Sequence, residues 1–322
     1  MSILDSIKEK VNEANSILIL THENPDGDAV GSSLGFMHGL RKLEKKVDVF
    51  IPVANKMYSF MPGFDEIKTE LADDAEYDLC ISLDSSDLDR LGSFGRPWFE
   101  KIKNTVVIDH HITNQNFGDV NYVNAVASST CQNIIVVLAA LDVAINKDMA
   151  VCIYSGMLTD TGGFRYNVQP ETFEFVAMLL ETGIDIAKIY RNLFDLTTEK
   201  RTRLLGRALS RLELLENGKI AFTYVTNEDE HEFENEDGDH EGIVNYGRNI
   251  EGVEVSIFLR EKDGGYKVSL RSNEYVDVSR IAAKYAGGGH LKASGLELKM
   301  SFDQAKDLLV SEIKGQLKEN EK

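Results

Sequence analysis

Apolar residues fall into two rhythms along the first half of the chain. Ile3, Leu4, Ile7 and Val11 recur at helical spacing, and Val30, Leu34, Met37, Leu40 and Leu43 do so again. Around these lie short continuous apolar runs at 17–20, 47–51, 79–83 and 105–108. Runs of that length, bounded by polar clusters, predict buried strands. Ser129-Thr130-Cys131-Gln132 has the form of a capping box opening a helix that carries the apolar run 134–141. A further helix or strand end is expected over 151–158. Continuous apolar strands alternating with helices predict an α/β fold, a parallel sheet with helices on both faces.

From 171 to 216 the spacing is helical throughout, with breaks at Gly183 and Thr197. After Gly218 the character changes. Strands are predicted at 220–225, 253–260 and 266–271, the last two joined by a turn at Asp263-Gly264-Gly265. Helices are predicted at 278–285 and 302–317. The expected organisation is a first domain over 1–190, a helical linker over 191–216, and a smaller α/β domain over 217–322 across a cleft. A chain of 322 residues is long enough for two such domains.

Charge changes the picture of partners. The 35 Lys and Arg against 53 Asp and Glu give −18. A long polyanion needs many Lys or Arg contacts along a groove, so long nucleic acid is not expected, nor is docking on an anionic membrane. A short phosphorylated ligand held by metal ions and a few side chains remains open. The N-terminus has no basic segment followed by an apolar run, and the longest apolar run, 134–141, is far below the roughly 20 residues a membrane span needs. Cys80, Cys131 and Cys152 show no paired spacing and read as free thiols of a cytoplasmic protein. Nine acidic residues and no Lys or Arg occupy 228–241. That segment reads as a solvated, mobile loop, since it lacks the regular ligand alternation of a calcium loop.

Asp and His residues gather at the ends of the apolar runs. Thr21-His22-Glu23-Asn24-Pro25-Asp26-Gly27-Asp28 follows the first, Asp84 the third, and Asp109-His110-His111 the fourth; Asp160 follows 151–158. Each alone has an ordinary reading: a turn, a helix cap, a structural histidine. In a parallel sheet, however, the carboxyl ends of the strands share one edge, where ligands bind. Four or five carboxylates brought together there repel one another unless cations intervene. Imidazole with carboxylate suits a transition metal, Mn²⁺ in particular, better than Ca²⁺, and the absence of thiolates disfavours structural zinc.

His22-x-x-x-Asp26-x-Asp28, Asp84, Asp109-His110-His111 and Asp160 resemble the four motifs of the DHH phosphoesterases. Arg271-Ser272 and Gly287-Gly288-Gly289-His290-x-x-Ala293-Ser294-Gly295 resemble the glycine-rich signature of the DHH-associated C-terminal domain. The resemblance runs from about 17 to 295, in family order. It implies a first metal ion on His22, Asp26 and Asp84, and a second on Asp28, Asp84, His110 and Asp160, with Asp84 bridging. His111 is implied to face the substrate phosphate and to protonate the leaving oxygen, with Asp109 orienting an imidazole. Arg271, Ser272, Gly287, Gly288, Gly289 and His290 are implied to bind substrate. Tyr246 and Arg248 are further candidates for the cleft.

The compact two-domain form resembles the oligoribonuclease and pAp phosphatase branch, together with linear-dinucleotide phosphodiesterases. The implied activity is Mn²⁺-dependent hydrolysis of pAp, pApA or short 5′-phosphorylated oligoribonucleotides. A cyclic-dinucleotide phosphodiesterase is a competing reading. An inorganic pyrophosphatase would lack the Gly-Gly-Gly-His segment. A non-catalytic nucleotide-binding module would show degraded metal motifs, whereas every motif position here is filled. A homodimer is open to such a chain, although no residue pattern marks one.

Overall fold

The computed structural model describes residues 2–235 and 238–320. In the first unit, Met1–Leu196, α1 (Ile3–Glu13) leads into β1 (Ser16–Leu20), α2 (Gly27–Lys42), β2 (Lys46–Phe50), β3 (Leu79–Leu83) and α3 (Gly92–Lys101). Then follow β4 (Thr105–Asp109), β5 (Val120–Val123), α4 (Thr130–Ala140), α5 (Lys147–Asp160), α6 (Pro170–Glu181) and α7 (Ile186–Tyr190). The strands lie in the order β2-β1-β3-β4-β5, all parallel.

Alternation within each apolar run explains the layering. Ile17 and Ile19 of β1 join Leu79, Ile81, Val106 and Ile108 in one core with residues of α1, α2, α4 and α5. Leu18 and Leu20 point the other way, to Cys80, Val107, Leu91 and Phe99. Side chains two apart share a face, so an apolar run buries both. The edge strand β5 was not predicted: its four residues are only half-buried.

Helices α2 and α5 approach closely because glycines line their contact. A Cβ on Gly31 would stand 2.5 Å from the Cys152 carbonyl oxygen, and one on Gly156 would stand 3.1 Å from the Cα of Asp28. This contact sets the N-terminus of α2 beside the C-terminal half of α5.

The second unit, Thr197–Lys322, contains α8 (Glu199–Ser210), β6 (Glu213–Leu215), β7 (Ile220–Val225), α9 (Asn227–Glu232), α10 (Ile243–Arg248) and β8 (Val255–Lys262). It continues with β9 (Gly265–Ser272), α11 (Val278–Lys284), β10 (Gly288–His290), β11 (Ala293–Leu298) and α12 (Phe302–Asn320). The sheet order is β10-β11-β9-β8-β7-β6; only β7 and β8 run parallel, across the α9–α10 crossover. Leu309 and Ile313 of α12 cover one face with Ile257 and Leu270, while Leu204, Ile243 and Phe258 pack on the other.

Two expectations are corrected here. The helical reading of 191–216 ends early, because Glu213–Leu215 pairs with β7 as an edge strand. The acidic segment is not a free loop over its first part. Thr226 caps α9, and Asp229, 1% exposed, accepts hydrogen bonds from Arg207, Arg211 and the Thr226 hydroxyl. Helical partners outside the segment neutralise it, which the local charge pattern could not reveal. Within that segment, Glu236 and Asp237 lie outside the described residues. All three cysteines are free and buried. Among the described residues no helix is long and apolar enough to cross a membrane.

Candidate metal centre

The carboxyl ends of β1, β3 and β4 and the ends of α2 and α5 bring the candidate ligands together. His22 follows β1. Asp26 caps α2, its Oδ1 accepting from the amides of Asp28 and Ala29 at 3.0 and 3.1 Å. Asp28, in the first turn of α2, is fixed at both oxygens: Oδ2 accepts from Thr130 N (2.6 Å) and Oδ1 from Cys131 N (2.9 Å). These amides open α4, and a helix N-terminus favours an anion.

Asp84 occupies the centre. It sits at φ 57°, a left-handed conformation that Asp tolerates better than most residues. Its Oδ2 lies 3.6 Å from His22 Nε2, and its Oδ1 lies 3.7 Å from both His110 Nε2 and His111 Nδ1. The Thr130 hydroxyl donates to Asp84 Oδ1 at 3.0 Å. His110 Nε2 is also 3.6 Å from Asp160 Oδ2 and 3.9 Å from Asp28 Oδ2. Three overlapping sets of potential donor atoms therefore converge: His22, Asp26 and Asp84; Asp84, His110 and His111; and Asp28, His110 and Asp160.

Asp109 belongs to none of these sets. Fully buried, it accepts from His111 Nδ1 (2.7 Å), the His110 amide (2.8 Å) and Asn114 Nδ2 (2.7 Å). It fixes the His111 ring, whose Nε2 has no hydrogen-bond partner among the described residues. The Asp109 carboxylate pushes the His111 imidazole up to about 9.

The electrostatics of the cluster are uneven. Burial, then the charges of Asp84 and Asp160, hold the Asp28 carboxyl well above the ordinary range. Burial and neighbouring carboxylates push Asp160 up to about 6, against the pull of His110. Asp84 moves the other way. Burial opposes its charge, but His22, His110 and His111 together hold it below the ordinary value. His22 Nδ1 is buried with no partner among the described residues.

In the second unit, strand register places His290, Ala293 and Arg271 in one row across β10, β11 and β9. Arg271 is held below its usual value by burial and by the nearby Arg248. Among the described residues, neither arginine pairs with a carboxylate. Tyr246 is exposed on α10. Ser272 differs from expectation: it is buried and its hydroxyl donates to the Val276 carbonyl at 2.7 Å, so it braces the loop after β9. The three glycines also divide. A Cβ on Gly287 or Gly289 would collide with β11, whereas nothing stands within 4 Å of one on Gly288. Close strand pairing thus accounts for two of them.

Sequence reading missed Thr130, Cys131 and Asn114. The capping-box pattern pointed at 129–132 for another reason, and only half of it forms. Ser129 Oγ accepts from Gln132 N, but the Gln132 side chain accepts from Ser128 instead.

Comparison with known proteins adds a family frame. The model of the DHH family N-terminal domain matches residues 16–157, and that of the DHHA1 domain matches residues 217–319. The chain is 33% identical over 303 residues to the bifunctional oligoribonuclease and PAP phosphatase NrnA of Thermus thermophilus, spanning 94% of this chain and 90% of that protein. It is 28% identical over 312 residues to the protein of the same name from Bacillus subtilis, spanning 95% and 96%. A solved exopolyphosphatase-related protein from Bacteroides fragilis superposes with a TM-score of 0.85 at 33% identity, covering 97% of this chain and 96% of that one.

Proposed function

The chain belongs to the DHH family of phosphoesterases, and from that premise we propose that it hydrolyses short 5′-phosphorylated ribonucleotides such as pApA, and pAp, with two divalent metal ions. Its similarity to proteins named oligoribonuclease and PAP phosphatase supports this substrate class. The observation that carries the metal reading is the position of Asp84. One carboxylate lies within 4 Å of nitrogens from His22, His110 and His111 and belongs to two of the three donor sets.

The residues fit such ions. Three further carboxylates, Asp26, Asp28 and Asp160, crowd Asp84, and all three are held above their ordinary range, which marks a charge deficit that cations would relieve. The mixed imidazole and carboxylate donor set suits Mn²⁺. When bound, such a pair supplies an activated water and neutralises the phosphate oxygens. His22, Asp26 and Asp84 would hold one ion; Asp28, Asp84, His110 and Asp160 the other.

The chain's own residues do the rest. Asp109 keeps the proton of His111 Nδ1 and thereby leaves Nε2 to carry the mobile proton. A charged imidazole there donates to the departing oxygen as the ester bond breaks. The amides of Thr130 and Cys131 hold Asp28 still. In the second unit, Arg271, Arg248 and His290, with the open backbone at Gly288, present arginines that pair with no carboxylate among the described residues, and we assign them to a substrate phosphate.

Purified protein with Mn²⁺ should cleave pAp, pApA and short oligoribonucleotides in preference to long RNA, a cyclic dinucleotide or pyrophosphate. Asp84→Asn should abolish that turnover while leaving the circular dichroism spectrum unchanged. Preference for pyrophosphate, or full activity in Asp84→Asn, contradicts the proposal.

A further inference from the structure

A cavity of about 280 Å³ opens beside the metal-ligand cluster, within the first unit. Its walls come from residues 21–24 after β1, residues 50–53 at the end of β2, and residues 91–95 at the start of α3. The segment after β1 is tied to the turn before α3, where the Glu23 amide donates to the Arg90 carbonyl at 2.9 Å. Phe50, Ile51 and Leu91 are buried in the walls, while Val53 and Phe94 line the space as exposed side chains, 76% and 62% accessible. His22 belongs both to this wall and to the cluster, 3.6 Å from Asp84.

Gly95 gives a second, independent observation. It lies inside α3 with ordinary helical φ. Glycine is the poorest helix former after proline. No turn requires it, and no backbone presses on it. A Cβ there would meet only the Leu91 Cβ, at 3.4 Å. What its missing side chain provides is open space in the cavity that it lines.

We propose that this cavity is a nucleobase subsite, taking the planar base of the nucleotide whose phosphate lies at the cluster. The inference rests on the phosphoesterase reading above. Size supports a single ring system: the volume falls at the small end of ligand pockets, about 300 Å³ and upward. Chemistry supports a base, since an exposed aromatic beside a buried apolar floor is a stacking platform that tolerates any base. Continuity through His22 supports a nucleoside phosphate, because one residue borders both the base cavity and the phosphate site.

The test is a binding measurement on the Mg²⁺-loaded full chain, so it does not depend on turnover. The probes are 2-aminopurine riboside 5′-monophosphate, read by fluorescence anisotropy, and ribose 5-phosphate, read by calorimetry. Wild type should bind the base-bearing probe at least about tenfold more tightly. Phe94→Ala should weaken that probe about five- to tenfold. Gly95→Leu, which fills the cavity, should weaken it more than tenfold while melting no lower than wild type. Both variants should bind ribose 5-phosphate within twofold of wild type. Equal affinity of wild type for the two probes overturns the proposal. So does an unchanged base-bearing affinity in both variants, or an equal loss for both probes. If the proposal holds here but no short nucleotide is hydrolysed, the fault lies with the activity and not with the subsite.

Discussion

Replacing Asp160 with asparagine should stabilise the metal-free protein. In the metal-free cluster the Asp160 carboxyl titrates at about 6 instead of 3.8, because burial and neighbouring carboxylates disfavour its charge. Between those values the folded chain holds a proton that the unfolded chain has released. Stability therefore falls as pH rises through this window, and the full penalty is present above about pH 6. Each pH unit by which the midpoint moves is worth about 1.4 kcal/mol, giving about 3 kcal/mol as a ceiling. The side chain is 24% exposed, so solvent screening cuts this to about 1–2 kcal/mol. For a unit of this size that is a rise of roughly 2–8 °C in melting temperature. The assay is thermal melting of chelator-treated wild type and Asp160→Asn at pH 4, 5, 6 and 7.5. The variant should melt higher at pH 7.5, and the gap should close toward pH 4. Added Mn²⁺ should reverse the order, because the variant has lost a ligand. A variant that melts at or below wild type at pH 7.5 without metal would refute the argument, as would a gap independent of pH.

Other consequences can be checked separately. Asp84→Asn should lower kcat with Mn²⁺ by more than about a hundredfold, since it removes a carboxylate that belongs to two of the three donor sets; steady-state kinetics on pApA reads this directly. In Asp109→Asn the His111 imidazole loses the carboxylate that keeps it charged, so the alkaline limb of the pH–rate profile should move acidward, toward 6.5. An unmoved limb would remove His111 as the proton donor. Gly31→Ala forces a methyl against the Cys152 carbonyl and should cost about 1–3 kcal/mol by denaturant melts, with activity falling as Asp28 and Asp160 separate. Asp229→Ala should destabilise the second unit by about 2–3 kcal/mol, less than a fully buried pair because Arg207 and Arg211 reach solvent; a melt unchanged from wild type would show that α9 adds nothing to its stability.

The central strands were legible because a strand buried on both faces must be apolar at consecutive positions, as at Ile17 to Leu20. Three edge strands escaped, β5, β6 and β10, and so did the interior strand β11, which alternates buried and more open positions. Val120–Val123 is half-buried and mixed in composition, and Gly288–His290 has almost no side chain to carry a pattern. The six candidate metal ligands were visible as Asp and His at the ends of apolar segments, where a parallel sheet must gather them. Their supports were not. Thr130 and Cys131 act on Asp28 through backbone amides, which any residue possesses, and Asn114 reaches Asp109 only after the chain has turned. Asp229 carried a misleading signal for the same reason: its two arginines lie 18 and 22 positions earlier.

The order in which the cluster's parts occur along the chain has a temporal meaning. His22 is made early in synthesis, whereas Asp160 ends α5, and α5 must seat against the glycines of α2 before Asp28 and Asp160 face each other. At about 5–20 residues per second, several seconds separate the two on the ribosome. Throughout that interval the nascent chain lacks a complete ligand set. A chain stopped anywhere before the end of α5 therefore never acquires the full set, however well its first strands have folded.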